Sequence, residues 1–216
     1  MTPKMVIFDC DGVLVETESI TNKVLSTQFT AWGAPIAEEE VHTLFSGGTM
    51  KTAGAEAAAR GAVLPEGWMD TIYAQVFAGL RQGVMVFDGL FDLLDALDAA
   101  GVATAIASNG PMAKMEISLG PSGLWDRFGD RIYSGHVHGK PKPAPEMLWH
   151  AAERAGVSPA DCVMIDDTTA GTRAADAAGM RAIGFAAASD ADALIATGHP
   201  VAYTMAEVAA LLGVQP

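Results

Sequence analysis

The sequence predicts an α/β fold, a doubly wound parallel sheet with an inserted all-helical segment. Short apolar runs suited to buried strands alternate with amphipathic helical stretches from residue 84 onward, which is typical of parallel sheets. Another strand-like run lies near the N-terminus, whereas residues 17–83 show only helical periodicity. We therefore predict a core formed by residues 1–16 and 83–216, with residues 17–82 inserted into it as a helical cap.

The first predicted strand, at residues 5–8, ends in two closely spaced acids. Asp9 follows the apolar run directly, Asp11 comes two residues later, and Gly12 permits a sharp backbone turn. Because side chains two apart on an extended chain point the same way, both carboxylates are expected to converge on one site. Their like charges repel unless a cation or a proton lies between them. An ordinary strand followed by an Asp-Gly turn is the alternative, and these residues alone do not decide.

Helical periodicity dominates the inserted segment. In its first helix, apolar residues recur at steps of three and four until Gly33 and Pro35 end the pattern. The predicted helices are residues 20–32, residues 38–45, an Ala-rich stretch ending near Gly61, and residues 68–80. A loop is predicted at residues 46–49, between the second helix and the third.

Helices and strands alternate through the rest of the predicted core. The first of these helices has an apolar face of leucines, and Gly101 is expected to end it. Predicted strands are residues 102–107, 131–134, 162–165 and 181–185, and predicted helices are residues 88–100, 112–119, 145–155, one ending at Ala178, and 205–212.

Three of the predicted strands end in polar residues, namely Asp9 with Asp11, Ser108 with Asn109, and Asp166 with Asp167. In a parallel sheet, ligands bind beyond the carboxyl ends of the strands. Any one of these pairs could be a turn or a helix cap, but their recurrence at the same edge favours a functional site. Four carboxylates at one edge suit a hard cation, and Mg²⁺ is the expected one because it accepts carboxylates, water and a phosphate oxygen.

A positive side chain for an anionic substrate is available in the proline-stiffened loop at residues 139–146. This loop contains Lys140 and Lys142. Because most lysines are exposed and have no specific role, the residues alone leave both lysines open.

Composition excludes several classes of protein. The formal net charge is -13, with 13 Lys and Arg against 26 Asp and Glu, and we find no basic cluster that could neutralise a nucleic-acid backbone. Without a secretory pattern or an apolar run of membrane-spanning length, we expect a cytoplasmic protein with no membrane partner. Cys10 and Cys162 lie in apolar surroundings, so we expect buried thiols rather than a disulfide.

Four short motifs, in their order and spacing around the cap, resemble those of the haloacid dehalogenase superfamily, in the branch with a helical cap after the first motif. The motifs are Asp9-Cys10-Asp11-Gly12-Val13-Leu14, Ser108-Asn109, Lys142-Pro143-Ala144-Pro145-Glu146, and Asp166-Asp167 followed by Ala170-Gly171 and Ala178-Gly179-Met180. The resemblance covers nearly the whole chain and implies a Rossmann-like core. Within the branch of β-phosphoglucomutases and phosphatases, three segments resemble the bacterial sugar phosphatases typified by 6-phosphogluconate phosphatase, namely Ser108-Asn109-Gly110-Pro111, Lys114-Met115 and Ile165-Asp166-Asp167.

The resemblance implies a Mg²⁺-dependent phosphatase acting on a small phosphate ester, a sugar or sugar-acid phosphate. Asp9 would be the nucleophile that forms an aspartyl phosphate, and Asp11 would protonate the leaving oxygen and then deprotonate the attacking water. Mg²⁺ would be held by Asp9, the backbone carbonyl of Asp11, Asp166 and Asp167, and the phosphoryl oxygens by Ser108, Asn109 and Lys142. A monomer or a weak homo-oligomer is expected.

Three alternatives to a phosphatase remain at this point: a phosphomutase, a 2-haloacid dehalogenase and a non-catalytic binding protein. In the related β-phosphoglucomutases an arginine of the cap loop holds a second phosphate, whereas the position aligned here is Met50, with Gly47 and Lys51 nearby. A 2-haloacid dehalogenase would lack the second acid, so Asp11 argues against that reaction. A non-catalytic binding protein on the same fold is the third alternative. The motifs do not name the substrate.

Overall fold

The computed structural model describes residues 2–45, 50–137 and 140–215. Its strands, in chain order, are β1 (Met5–Phe8), β2 (Val15–Glu16), β3 (Met85–Val86), β4 (Ala103–Ser108), β5 (Ile132–Ser134), β6 (Cys162–Asp166), β7 (Arg181–Phe185) and β8 (Val201–Ala202). Its helices are α1 (Glu18–Ala31), α2 (Glu38–Phe45), α3 (Met50–Ala59), α4 (Trp68–Leu80), α5 (Leu90–Ala99), α6 (Met112–Leu119), α7 (Leu124–Phe128), α8 (Glu146–Ala155), α9 (Thr169–Ala178), α10 (Ala191–Ile195) and α11 (Met205–Leu212).

The chain divides into two compact units. One comprises Met1–Glu16 and Met85–Pro216, and the other comprises Thr17–Val84. The first unit contains all the strands, and the second contains α1 to α4. That the helical unit acts as a cap over an active site stays a prediction.

A six-stranded parallel sheet forms the centre of the first unit, in the order β5-β4-β1-β6-β7-β8. All four residues of β1 are buried, as expected for a strand covered on both faces. The predicted fold class is therefore confirmed. The strands that the sequence marked by their polar ends, β4, β1 and β6, lie side by side in the middle of this sheet.

The register of these three strands brings their carboxyl ends level. Phe8 pairs with Ile106 on one side and with Ile165 on the other. The backbone N–H of Asp9 then donates to the carbonyl of Ile165 over 2.9 Å, which extends the pairing by one residue. The residues that follow β4, β1 and β6 consequently start from neighbouring points on one edge of the sheet.

Helices cover both faces of the sheet. Because side chains alternate along β1, this strand contacts helices on each face. Met5 and Ile7 belong to a buried cluster with α8 and α9, in which α9 contributes only alanines, so that this helix can lie close to the strands. Phe8 points to the opposite face and meets Phe128 of α7 edge to face, with ring centroids 6.4 Å apart. Burying each large apolar side chain stabilises the fold by about 1.5–3 kcal/mol, which is the main force that holds these layers together.

A two-stranded antiparallel pair, β2 with β3, was not predicted. Val15 pairs with Val86, and Glu16 pairs with Met85, where the chain leaves the first unit and returns to it. A strand of two residues has too few positions to show a period of two, so no sequence pattern could have indicated it.

Among its described residues, the second unit contains four helices joined by turns and irregular segments and no strand, as its periodicity predicted. Phe29, Trp32 and Trp68 form an aromatic cluster with ring centroids 6.1 to 6.4 Å apart. Gly54 fits against this cluster, since a Cβ there would lie 2.3 Å from the Trp68 ring. The predicted loop at residues 46–49, including Gly47, lies outside the described residues, while Met50 begins α3 and Lys51 is exposed. None of the helices described here is long and apolar enough to cross a membrane.

Candidate active site

Three carboxylates converge where β1 and β6 end. Asp9, Asp166 and Asp167 each place one carboxylate oxygen within 4.8 Å of the others, and all three side chains are buried. Burial raises the pKa of Asp9 to about 7, and the neighbouring Asp166 and Asp11 act in the same direction, whereas the Lys142 ammonium opposes them. A cluster of this kind requires a compensating positive charge.

Lys142 supplies such a charge. Its Nζ lies 3.0 Å from Asp9 Oδ1 and 2.6 Å from Asp166 Oδ2, and its side chain is 2% exposed. Burial alone would lower the pKa of this lysine, but the two carboxylates outweigh that effect and raise the pKa above its ordinary value. The lysine is therefore held as a cation in the same buried cluster as Asp9. Lys140, the other lysine of the loop, is exposed and pairs with Glu146.

Asp166 is fixed from both of its oxygens. Oδ2 accepts from Lys142, while Oδ1 accepts from the backbone N–H of Thr168 over 2.9 Å and from its hydroxyl over 2.7 Å. The same Thr168 oxygen accepts from the Gly171 N–H and caps α9. With three hydrogen bonds already accepted, Asp166 is better suited to anchoring Lys142 than to direct metal binding. Asp9 and Asp167 are then the more suitable carboxylate ligands.

Two glycines give the carboxylates the space they occupy. Gly12 has a φ of +79°, and a Cβ there would lie 2.1 Å from Asp167 Oδ2. A Cβ at Gly171 would lie 1.8 Å from the carboxyl carbon of Asp166. Both positions therefore exclude any side chain, because such distances lie far inside van der Waals contact.

Gly171→Ala should displace Asp166 and loosen its hold on Lys142. We expect the free energy of unfolding to fall by about 2–3 kcal/mol, because the added methyl overpacks a buried site. Thermal unfolding would measure the loss. Gly156→Ala is a useful comparison, because no atom of the described residues lies within 4 Å of a Cβ at that position, so the substitution strains only the backbone. An unchanged melting temperature in Gly171→Ala would contradict the close packing of this glycine on Asp166.

The predicted phosphate-binding residues Ser108 and Asn109 have different surroundings. Ser108 Oγ accepts from the Gly110 N–H over 3.0 Å at the end of β4. The side-chain amide of Asn109 forms two hydrogen bonds with the backbone of Lys142. It donates to the carbonyl over 3.0 Å and accepts from the N–H over 2.7 Å. We therefore revise the predicted role of the Asn109 side chain, from holding phosphoryl oxygens to positioning the Lys142 loop.

Of the four acids predicted to belong to the site, Asp11 is the one whose side chain lies outside the cluster of Asp9, Asp166 and Asp167. Its Oδ2 lies 2.8 Å from Nζ of Lys114, a residue of α6 that was not among the predicted site residues. Two features of the sequence could have marked Lys114 as a site residue. It is a basic residue in the first turn of a helix, where positive charge is unfavourable, and that helix follows the polar end of a strand.

The donor set fits magnesium. Buried carboxylate oxygens are the hard ligands that Mg²⁺ prefers, and the cluster contains no sulfur or imidazole donor. Asp9 and Asp167 would hold the ion, together with the backbone carbonyl of Asp11 that the family resemblance implies.

Comparison with known proteins identifies the family of the chain. The sequence profile of the haloacid dehalogenase-like hydrolase family matches residues 3–179. The chain is 31% identical over 184 residues to 6-phosphogluconate phosphatase of Escherichia coli K12, covering 84% of this chain and 82% of that one. A haloacid dehalogenase-like protein from Agrobacterium tumefaciens C58 superposes with a TM-score of 0.87 at 33% identity, covering 97% of both chains. A hydrolase of the same family from Deinococcus radiodurans R1, solved with bound phosphate and sodium, gives a TM-score of 0.86 at 32% identity, covering 100% of this chain and 99% of that chain. The chain belongs to the haloacid dehalogenase-like hydrolase family.

Proposed function

We propose that this hydrolase is a Mg²⁺-dependent phosphatase that cleaves a small phosphorylated metabolite through an aspartyl phosphate on Asp9. The observation that carries the proposal is the buried Asp9 carboxylate, held by Lys142 and placed beside Asp166 and Asp167. A carboxylate attacks an anionic phosphate ester only where positive charge reduces their repulsion. Lys142 supplies part of that charge, and Mg²⁺, when bound, supplies the rest.

Asp9 is the proposed nucleophile. One of its oxygens attacks the phosphorus while the bond from phosphorus to the leaving oxygen breaks, which divides one difficult displacement into two easier steps. Lys142 contacts Asp9 Oδ1, and Cys10 N donates to the same oxygen over 2.8 Å, so the carboxylate is fixed in orientation before the substrate binds.

Asp11 is the proposed proton carrier. It gives a proton to the leaving oxygen in the first step and takes one from the attacking water in the second. Its side chain is 23% exposed, in contrast to the buried Asp9, so it is accessible to water.

The proposed substrate is a sugar phosphate or a sugar-acid phosphate. The similarity to an enzyme named 6-phosphogluconate phosphatase supports this class. Acidic metabolites would meet a protein with a formal net charge of -13, so the cationic groups of the site are expected to decide their binding.

The test is hydrolysis of a panel of phosphate esters by the purified protein, with released phosphate as the readout. The panel includes sugar phosphates, sugar-acid phosphates and nucleotides, and one arm replaces Mg²⁺ with a chelator. We expect Mg²⁺-dependent release, most rapid with a sugar or sugar-acid phosphate. Isomerisation of a hexose 1-phosphate faster than phosphate release, in the presence of its bisphosphate, would instead identify a phosphomutase. No hydrolysis of any ester would refute the proposed function.

A further inference from the structure

A partly buried ion pair joins Asp11 to Lys114, a residue that the proposed reaction does not yet use. The two charged atoms are 2.8 Å apart, and the side chains are 17% exposed for the lysine and 23% for the acid. Gly110, in the loop after β4, lies beside the pair, since a Cβ there would be in van der Waals contact with both side chains, 3.5 Å from Asp11 Oδ2 and 3.9 Å from Lys114 Cδ.

The position of Lys114 is unfavourable for the helix that carries it. It is the third residue of α6, close to the helix N-terminus, where the aligned peptide dipoles favour negative charge. Placing an ammonium group largely out of water adds a desolvation cost. The ion pair with Asp11 offsets both costs, so the contact with this acid, rather than helix stability, accounts for a lysine here.

We propose that Lys114 is a positioning residue, whose ammonium group holds the Asp11 carboxylate in the orientation needed for both proton transfers. The inference rests on the proposed phosphatase function. In the first half-reaction an oxygen of Asp9 bonds to the phosphorus, the bond from phosphorus to the leaving oxygen breaks, and that oxygen takes its proton from Asp11. In the second, a water oxygen bonds to the phosphorus of the aspartyl phosphate, the proton of that water passes to Asp11, and the bond from phosphorus to Asp9 breaks to release inorganic phosphate.

Lys114→Met should lower kcat for a sugar phosphate by about 10²-fold, because misplacing a catalytic group by about 1 Å has an effect of that size. We expect KM to stay within about twofold, because this lysine acts through Asp11 rather than on the substrate. Lys114→Arg, which keeps the positive charge, should recover much of the lost kcat. A KM raised tenfold or more in Lys114→Met would show a substrate-binding role and would overturn the inference.

p-Nitrophenyl phosphate separates positioning from a merely structural role. Its leaving group is a weak base that departs without a proton, so the first half-reaction should proceed in Lys114→Met. Hydrolysis of the aspartyl phosphate still needs Asp11 as a base and should slow. We therefore expect a burst of p-nitrophenol equal to the enzyme concentration, with phosphorylated protein visible by intact mass. Equal slowing of both half-reactions, without accumulated phosphoprotein, would overturn the inference.

Lys4→Met is the matched control, since Lys4 forms an exposed ion pair with Asp161, in the turn before β6. Its kinetics should match those of the unaltered protein. Lys114→Gln provides a second variant should Lys114→Met fail to fold, as judged by circular dichroism and thermal unfolding. Failure of the phosphatase function itself would look different, because the unaltered protein would then release no phosphate.

Discussion

Asp9→Asn is expected to lower kcat for phosphate release by about 10⁴-fold or more, in line with the loss of other enzymic nucleophiles. The side-chain amide oxygen is a much weaker nucleophile than a carboxylate oxygen, and the acyl phosphate of the proposed mechanism requires the carboxylate. Phosphate release and intact mass after incubation with substrate would measure the effect. The variant should accumulate no phosphorylated protein.

The same variant should keep the fold intact. Because burial raises the pKa of Asp9 to about 7, its ionised form is less stable in the folded chain than in the unfolded chain. Stability is therefore lost as the pH rises from the unfolded value of about 4 through about 7. An asparagine cannot ionise, so at about pH 8 the metal-free variant should be no less stable than the unaltered protein.

Asp161→Asn is the matched control for Asp9→Asn. This acid is on the surface and pairs with Lys4. Because solvent screens an exposed pair, its substitution should change the free energy of unfolding little and leave kcat unchanged. Retention of a tenth or more of kcat in Asp9→Asn would rule out the nucleophile assignment. A large loss of stability in that variant would show that the Asp9 carboxylate is needed for folding.

The elements with strong local patterns were predicted well. The helices at Met112–Leu119 and Met205–Leu212 and the strand at Arg181–Phe185 have the predicted ends, because helical or strand periodicity and stop signals are local properties of the sequence. The polar ends of the strands were also informative. Parallel pairing of β4, β1 and β6 brings them to one edge, as the alternation of strands and helices had indicated.

Features that depend on contacts between distant residues were missed. The Asn109 amide is engaged by the backbone of Lys142, 33 residues further along the chain. The pairing of Lys114 with Asp11 likewise depends on how α6 leaves the sheet. A residue type and its position in a motif identify it as polar and close to the site, but only the folded backbone decides whether it contacts substrate, metal or another side chain.

Lys142→Met is expected to lower the free energy of unfolding by about 3–5 kcal/mol, because it leaves buried carboxylates without their cation. The side chain is 2% exposed and lies within 3.0 Å of Asp9 and 2.6 Å of Asp166. We expect phosphate release to fall about 10³-fold as well, since the positive charge beside the nucleophile is lost. Chemical denaturation and steady-state kinetics would measure the two effects.

Lys140→Met provides the control within the same loop. Lys140 is exposed, and its ion pair with Glu146 should contribute little to stability, because solvent screens an exposed pair. A comparable loss of stability in both variants would indicate that the loop responds to any lost charge, rather than to the loss of the buried cation.

Adding Asp166→Asn to Lys142→Met tests the cause of the destabilisation. The asparagine oxygen can still accept from Thr168, while one of the uncompensated buried charges is removed. The double variant should therefore recover part of the stability but none of the activity, and the difference from additivity measures the coupling between residues 142 and 166. Additive losses would show that Asp166 does not hold Lys142 through charge.

The destabilisation by Lys142→Met should also depend on pH. Lys142 opposes the rise in the pKa of Asp9, so without the lysine that pKa moves further above about 7. When the pKa of an acid is raised in the folded state, the free energy of unfolding of the protein falls as the pH rises through that pKa. In the variant this fall extends to higher pH. The difference in unfolding free energy between the two proteins should therefore be larger at about pH 8 than at about pH 6. A difference that does not vary with pH would mean that Asp9 is not the group left uncompensated, and that the loss comes from packing of the lysine side chain instead.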